Sequence, residues 1–288
     1  MKLVTFESAG SVGVGVLEGE EVANLSATDG GPADMVELIS WGRDAIADLS
    51  RTAPRLMRDS VRLLAPIPRP RKNVFAVGRN YVEHAKEFSD SGFDASERQQ
   101  LPDDPIFFTK PPTSVIGPDE AIDTSNDPTG TTDYEGELAV VIGRAGIRIP
   151  KEEAMDHVFG YTICNDVTAR ELQKRHVQWE IGKGPDTYCP MGPCIVTADE
   201  IEDVGSLWLR TRVNGELRQE APVADLIFDI STLIAVLSSV MTLEPGDVIA
   251  TGTPPGVGIG FDPPIYLQPG DVVEIEVEQI GTLRNPVI

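Results

Sequence analysis

The segment Asp-Tyr-Glu-Gly-Glu at 133–137 runs into an apolar stretch, Leu-Ala-Val-Val-Ile, at 138–142. The apolar run predicts a strand over 137–142. A period of two then places Glu135 and Glu137 on one face and Leu138 on the other. Two like charges on one face repel unless positive charge lies between them. A hard divalent cation such as Mg²⁺ or Mn²⁺ takes carboxylate oxygens and meets that need. Two solvated acids on an edge strand fit the spacing as well. Asp166 follows a strand-like stretch at 161–164 and precedes Thr168-Ala169-Arg170-Glu171. There, a Glu three places after a Thr resembles a capping box. Asp166 either closes a three-carboxylate site with Glu135 and Glu137 or, like Thr168, caps the helix. Arg170 either guides an anionic substrate or pairs with Glu171 or Glu180.

A second group could move protons. His84 and Glu87, in a short helical segment after Arg79-Asn80-Tyr81, stand three apart and share a face. A carboxylate beside an imidazole orients it and raises its basicity, which suits a general base acting on water. A surface ion pair has the same spacing. Lys183 lies in the constrained loop Gly182-Lys183-Gly184-Pro185, and Lys110 follows the apolar stretch 106–109. Either lysine can stabilise an enolate or bind a carboxylate, or simply be solvated. The segment 250–258, ATGTPPGVG, is neither a Walker A loop nor a dinucleotide-binding glycine motif. Its backbone N–H groups and the Thr253 hydroxyl can present donors to a carboxylate, or it is only a tight connection.

These residues need a scaffold, and the chain of 288 residues is long enough to bury one. Hydrophobic residues make up 41% and charged residues 24%, a globular rather than disordered balance. The formal net charge of -22 repels phosphate backbones, which argues against nucleic acid as a partner. The three cysteines, Cys164, Cys189 and Cys194, form no disulfide framework or zinc spacing, so a reducing cytoplasm is expected. No signal peptide or membrane span is expected, since the apolar stretch 227–241 is interrupted by Asp229, Ser231 and Thr232 and reads as a buried helix.

Strands are expected at 3–6, 12–17 and 22–25, with one helix over 33–48. The proline-rich stretch 65–70 marks a boundary between a small N-terminal unit, 1–66, and a larger one, 67–288. Beyond it, strands are expected at 74–77, 106–109, 137–142, 161–164, 194–197, 207–213 and 271–277. Helices are expected at 151–158, 168–176 and 230–241. Asn214-Gly215 signals a hairpin. The polar, acidic stretch 88–104 reads as either a lid over the site or an ordinary surface loop. The class is mixed α+β, predominantly β.

Taken together, GRNYVEHAKE (78–87), PIFFTKPPTSVIGP (105–118), DYEGELAVVIG (133–143), GYTICNDVTARELQ (160–173), QWEIGKGPDTYCPMGP (178–193), VNGELRQ (213–219) and LEPGDVIATGTPPGVG (243–258) resemble the fumarylacetoacetate hydrolase family, in that family's order. The N-terminal unit resembles the first domain of many bacterial members. The resemblance implies a β-roll core in a homodimer. It implies that Glu135, Glu137 and Asp166 hold one Mg²⁺ or Mn²⁺ per subunit, with no organic cofactor. It assigns the water-handling dyad to His84 and Glu87 and the active-site lysine to Lys183. Arg79, Lys110 and Thr253 fall at substrate-binding positions, and Arg170 joins them as a substrate-binding candidate on the reading of its own position. The implied activity is cleavage of acylpyruvates or related 2,4-dioxo acids to pyruvate and a carboxylic acid, as in aromatic catabolism. The same site also suits oxaloacetate decarboxylation, or isomerisation or hydration of unsaturated 2-oxo dioic acids.

Overall fold

Alternating apolar residues in the first segment close a hairpin, Lys2–Ser8 against Ser11–Glu18, in which Val4, Phe6, Val14 and Val16 are buried. In the computed structural model, which describes residues 1–92 and 101–288, this hairpin joins the main sheet. Lys2–Ser8 pairs antiparallel with Cys189–Thr197, setting Leu3 opposite Ile195. From there the sheet continues through Val158–Asn165, Gly136–Ile142, Val248–Ala250, Val74–Gly78 and Ile106–Lys110. Val248–Ala250 joins Val74–Gly78 in parallel, so the sheet is mixed.

Gly136–Ile142 is buried along its whole length. It reads as a continuous apolar run because both of its faces are covered. A separate antiparallel sheet of four strands, Glu216–Pro222, Trp208–Val213, Val272–Val277 and Gly281–Pro286, packs beside it. Asn214 and Gly215 both have positive φ, 53° and 81°, as a two-residue primed turn requires.

Several sequence expectations are corrected. The helix expected over 33–48 is two, Met35–Trp41 and Arg43–Ser50, because Gly42 breaks it at φ 80°. The stretch 151–158 forms a 3-10 helix, Lys151–His157. The helix expected from 168 begins at Arg170, because Thr168–Ala169 pairs as a strand with Thr132–Asp133. No capping box forms there, and the Thr168 hydroxyl instead donates to the Asp166 carbonyl at 2.8 Å. The last helix ends at Ser238 and is buried on one face only, with Val236 exposed. Of the stretch 88–104, residues 93–100 lie outside the described residues. Among the described residues, no helix is long and apolar enough to cross a membrane.

Candidate active site

Strand register brings the acids together. Gly136–Ile142 runs antiparallel to Val158–Asn165, with Glu137 opposite Cys164 and Gly136 opposite Asn165. Glu135 and Asp166 therefore sit just past the ends of paired strands. The Glu135 carbonyl accepts from Asp166 N–H at 2.8 Å, and Asn165 Oδ1 accepts from Glu135 N–H at 3.0 Å. Glu135, Glu137 and Asp166 are all buried, and one carboxylate oxygen from each lies within 4.8 Å of the others.

Buried cations surround this cluster. Lys183 Nζ lies 2.8 Å from Glu135 Oε2 and 2.6 Å from Asp166 Oδ2. Arg170 Nη1 lies 2.6 Å from Glu135 Oε1, and Arg170 Nη2 lies 2.8 Å from Asp133 Oδ2. Lys110 Nζ lies 2.7 Å from Asp166 Oδ1 and also donates to the carbonyls of Val167 and Lys183. Arg170 and Lys110 are fully buried, so these pairs escape the screening that weakens surface ion pairs. Arg170 thus pairs with Asp133 and Glu135, not with Glu171 or Glu180. Its charge is already committed, and so is that of Lys110.

The electrostatics separate the acids. Burial alone would raise the Glu135 carboxyl, but Lys183 and Arg170 outweigh it and hold it well below the usual carboxylate range. Among the described residues, no cation forms an ion pair with Glu137. Burial first, then the charges of Asp166 and Glu135, push it well above that range. Burial disfavours the Lys183 charge, yet Asp166 and Glu135 overcome this and raise its basicity. Gly252 N–H donates to Glu137 Oε2 at 2.8 Å, while the buried Glu137 Oε1 has no hydrogen-bond partner among the described residues. An orphaned buried carboxylate oxygen that clusters with two more acids fits a hard divalent cation, which would supply the missing charge.

The imidazole sits on the same cavity. His84 Nδ1 is 3.1 Å from Glu87 Oε2, and Glu87 Oε1 accepts from Gly256 N–H at 2.9 Å. His84 is buried, so this is no surface pair. Arg79, His84, Glu135, Lys183, Thr253 and Trp179 line one cavity. The Trp179 ring stands edge-on to Phe88 and Phe108, at centroid distances of 6.1 and 5.3 Å, and forms its apolar wall. The Arg79 guanidinium lies 4.9 Å from the Phe88 ring centroid. The Thr253 hydroxyl donates to the Gly136 carbonyl at 2.9 Å and accepts from Gln219 at 2.8 Å. In this loop, the backbone donor at Gly252 serves Glu137 rather than a ligand.

Sequence reasoning missed Asp133, Gln173 and Asn80. Gln173 shares the cavity wall, one helical turn after Arg170. Asn80 fixes the turn before the His84 helix, its side chain bonding Phe228 and the Thr251 carbonyl. The adjacency of Asp133 to Glu135 was the one available signal for its role.

Residues 73–288 match the fumarylacetoacetate hydrolase C-terminal family and residues 1–66 an Rv2993c-like N-terminal family. The chain belongs to the fumarylacetoacetate hydrolase family and is an enzyme of that family. It is 46% identical over 268 residues to an oxaloacetate tautomerase of Bacillus subtilis, covering 89% of this chain and 87% of that protein. It superposes on the fumarylacetoacetate hydrolase of Exiguobacterium antarcticum with a TM-score of 0.86 at 45% identity, covering 100% of this chain and 99% of that one. It also resembles a maleylpyruvate hydrolase of Sphingobium sp. SYK-6 solved with manganese(II) and pyruvate, at 33% identity and a TM-score of 0.79, covering 100% and 99% of the two chains.

Proposed function

We propose that this enzyme interconverts the enol and keto forms of a 2-oxo dicarboxylic acid of the oxaloacetate type. The observation that carries this reading is one cavity lined by Lys183, by Glu135 of the buried three-carboxylate cluster and by His84 of the imidazole–carboxylate dyad. Similarity to the Bacillus tautomerase supports the choice of substrate. A divalent cation, Mg²⁺ or Mn²⁺, held by Glu135, Glu137 and Asp166 would supply Lewis acidity and an anchor for the 2-oxo carboxylate.

The residues do the rest. An ionised Glu87 makes His84 Nδ1 the donor and leaves Nε2 as the base. In the enol-to-keto direction, His84 Nε2 takes the proton from the 2-hydroxyl as the O–H bond breaks. It returns a proton to C3, where the new C–H bond forms. No water is consumed. Lys183, held against Glu135 and Asp166, adds positive charge beside the oxygen where negative charge develops. Phe88, Phe108 and Trp179 give the cavity an apolar wall beside these polar groups.

The test follows the enol's ultraviolet absorbance with Mg²⁺ or Mn²⁺ present. Metal-dependent acceleration of ketonisation is expected, and a rate equal to that of buffer with metal would reject the reading. Hydrolysis of acylpyruvates or related 2,4-dioxo acids is the second reading. It is favoured by the dyad, which can equally take a proton from water, and by the similarity to the Sphingobium hydrolase. Pyruvate release from an acylpyruvate panel tests it, as does release from oxaloacetate for decarboxylation. The family resemblance also supports a homodimer. Sedimentation that finds only a 31.1 kDa species at micromolar concentration would contradict it.

A further inference from the structure

The two residues before Glu135 reach to the loop at 256–259. The buried Asp133 carboxylate, besides pairing with Arg170, accepts from Gly258 N–H at 2.7 Å and from Ile259 N–H at 3.1 Å. The Tyr134 hydroxyl donates to the Gly256 carbonyl at 2.8 Å. Gly256 N–H donates to Glu87 Oε1 at 2.9 Å, and Glu87 Oε2 meets His84 Nδ1 at 3.1 Å. Gly256 takes φ 101°, and a Cβ there would lie 1.9 Å from the Arg218 carbonyl oxygen. One residue in a conformation that favours glycine therefore carries the link in both directions. Tyr134 lines no part of the cavity that holds His84 and Lys183.

We propose that Tyr134 is a positioning residue for the proton-transfer dyad, acting through Gly256 and Glu87 on the His84 ring, while Asp133 anchors the next turn of the same loop. The segment 133–135 then sets the base and the acid cluster in one frame. The hydroxyl of Tyr134 holds the Gly256 carbonyl, which restrains Gly256 at its own position and, through the φ and ψ of that residue, limits where its N–H lies. That N–H holds one Glu87 oxygen so that the other faces Nδ1. Without it, Glu87 is free to turn and the ring loses its single tautomer.

The inference rests on the base role given to His84 above, so the test has a readout that needs no substrate. Tyr134→Phe removes one hydroxyl and keeps the ring packing. Nitrogen-15 NMR of the histidine rings, with the His84 signals assigned by His84→Ala, is expected to show the Nδ1–H tautomer in the unaltered protein. A tautomer mixture is expected in Tyr134→Phe. Glu87→Gln should also perturb the ring, and adding Tyr134→Phe to it should change nothing further. With substrate, kcat should fall about 10-fold in Tyr134→Phe at unchanged KM and metal affinity. Unaltered His84 ring signals in Tyr134→Phe overturn the proposal, whatever the activity. Full activity in His84→Ala would instead overturn the base role and leave the tie from Tyr134 to the ring standing.

Discussion

Gly252 N–H holds one oxygen of Glu137 at 2.8 Å and leaves the other buried without a partner among the described residues. Gly252 has φ 111°, and a Cβ there would lie 2.6 Å from that of Asn80. The loop approaches the acid this closely only because position 252 is glycine. One Glu137 oxygen is thus oriented by backbone and the other is left available.

Glu137→Gln keeps that shape and removes the charge. Divalent-metal affinity should fall by about 100-fold or more while the fold persists, because hard cations depend on carboxylate charge. Calorimetric titration with Mn²⁺ checks it, and unchanged affinity would remove Glu137 from the ligand set.

Metal uptake should release a proton. In the metal-free protein, Glu137 is pushed well above the ordinary carboxylate range by burial and by its acidic neighbours. The folded state therefore holds a proton that the unfolded chain gives up at lower pH. Stability of the metal-free protein should fall as pH rises from the ordinary glutamate value through the raised one. Titrations in buffers of different ionisation enthalpy should show proton release on metal binding. A heat independent of the buffer would contradict this.

His84→Ala should cut tautomerisation or hydrolysis by about 10²–10⁴-fold, the usual contribution of a general base. Metal binding should survive, since no ligand is lost. Oxaloacetate decarboxylation should fall less, because it needs an electron sink rather than a base. Equal losses in all reactions measured on one preparation would deny His84 that role.

Arg170→Met should act on stability. It leaves Asp133 and Glu135 as buried acids without their guanidinium. Removing one partner of a buried ion pair costs about 3–5 kcal/mol. Urea unfolding of the metal-free protein measures this, and a loss confined to substrate affinity would contradict it and favour a substrate-binding role for Arg170, which also lines the cavity.

The acids were legible because a period of two and an apolar run are local signals. The His84–Glu87 spacing was legible for the same reason, although only the fold shows that the pair is buried. What the cations touch was not legible. Arg170 finds Asp133 through the short pairing of Thr168–Ala169 with Thr132–Asp133, and that pairing also cancels the capping box. Lys110 reaches Asp166 across distant strands, a contact that no sequence interval encodes. The strand Val248–Ala250 escaped notice because three residues are too few to show a period.

The pairing of Leu3 with Ile195 bears on how the protein is made. The first hairpin leaves the ribosome early, but its neighbour in the sheet is synthesised much later. Until then the hairpin's outer backbone groups face solvent, and closure must bring together distant parts of the chain, which slows folding. The dependence also runs the other way. A chain trimmed before the proline-rich stretch would keep the acids of the site and the imidazole, yet it would leave the 195–196 edge of Cys189–Thr197 as a raw sheet border. Such a border recruits other strands. The N-terminal unit therefore serves as a selvedge for the catalytic sheet, and a shortened enzyme should be lost to precipitation before it is lost to faulty chemistry.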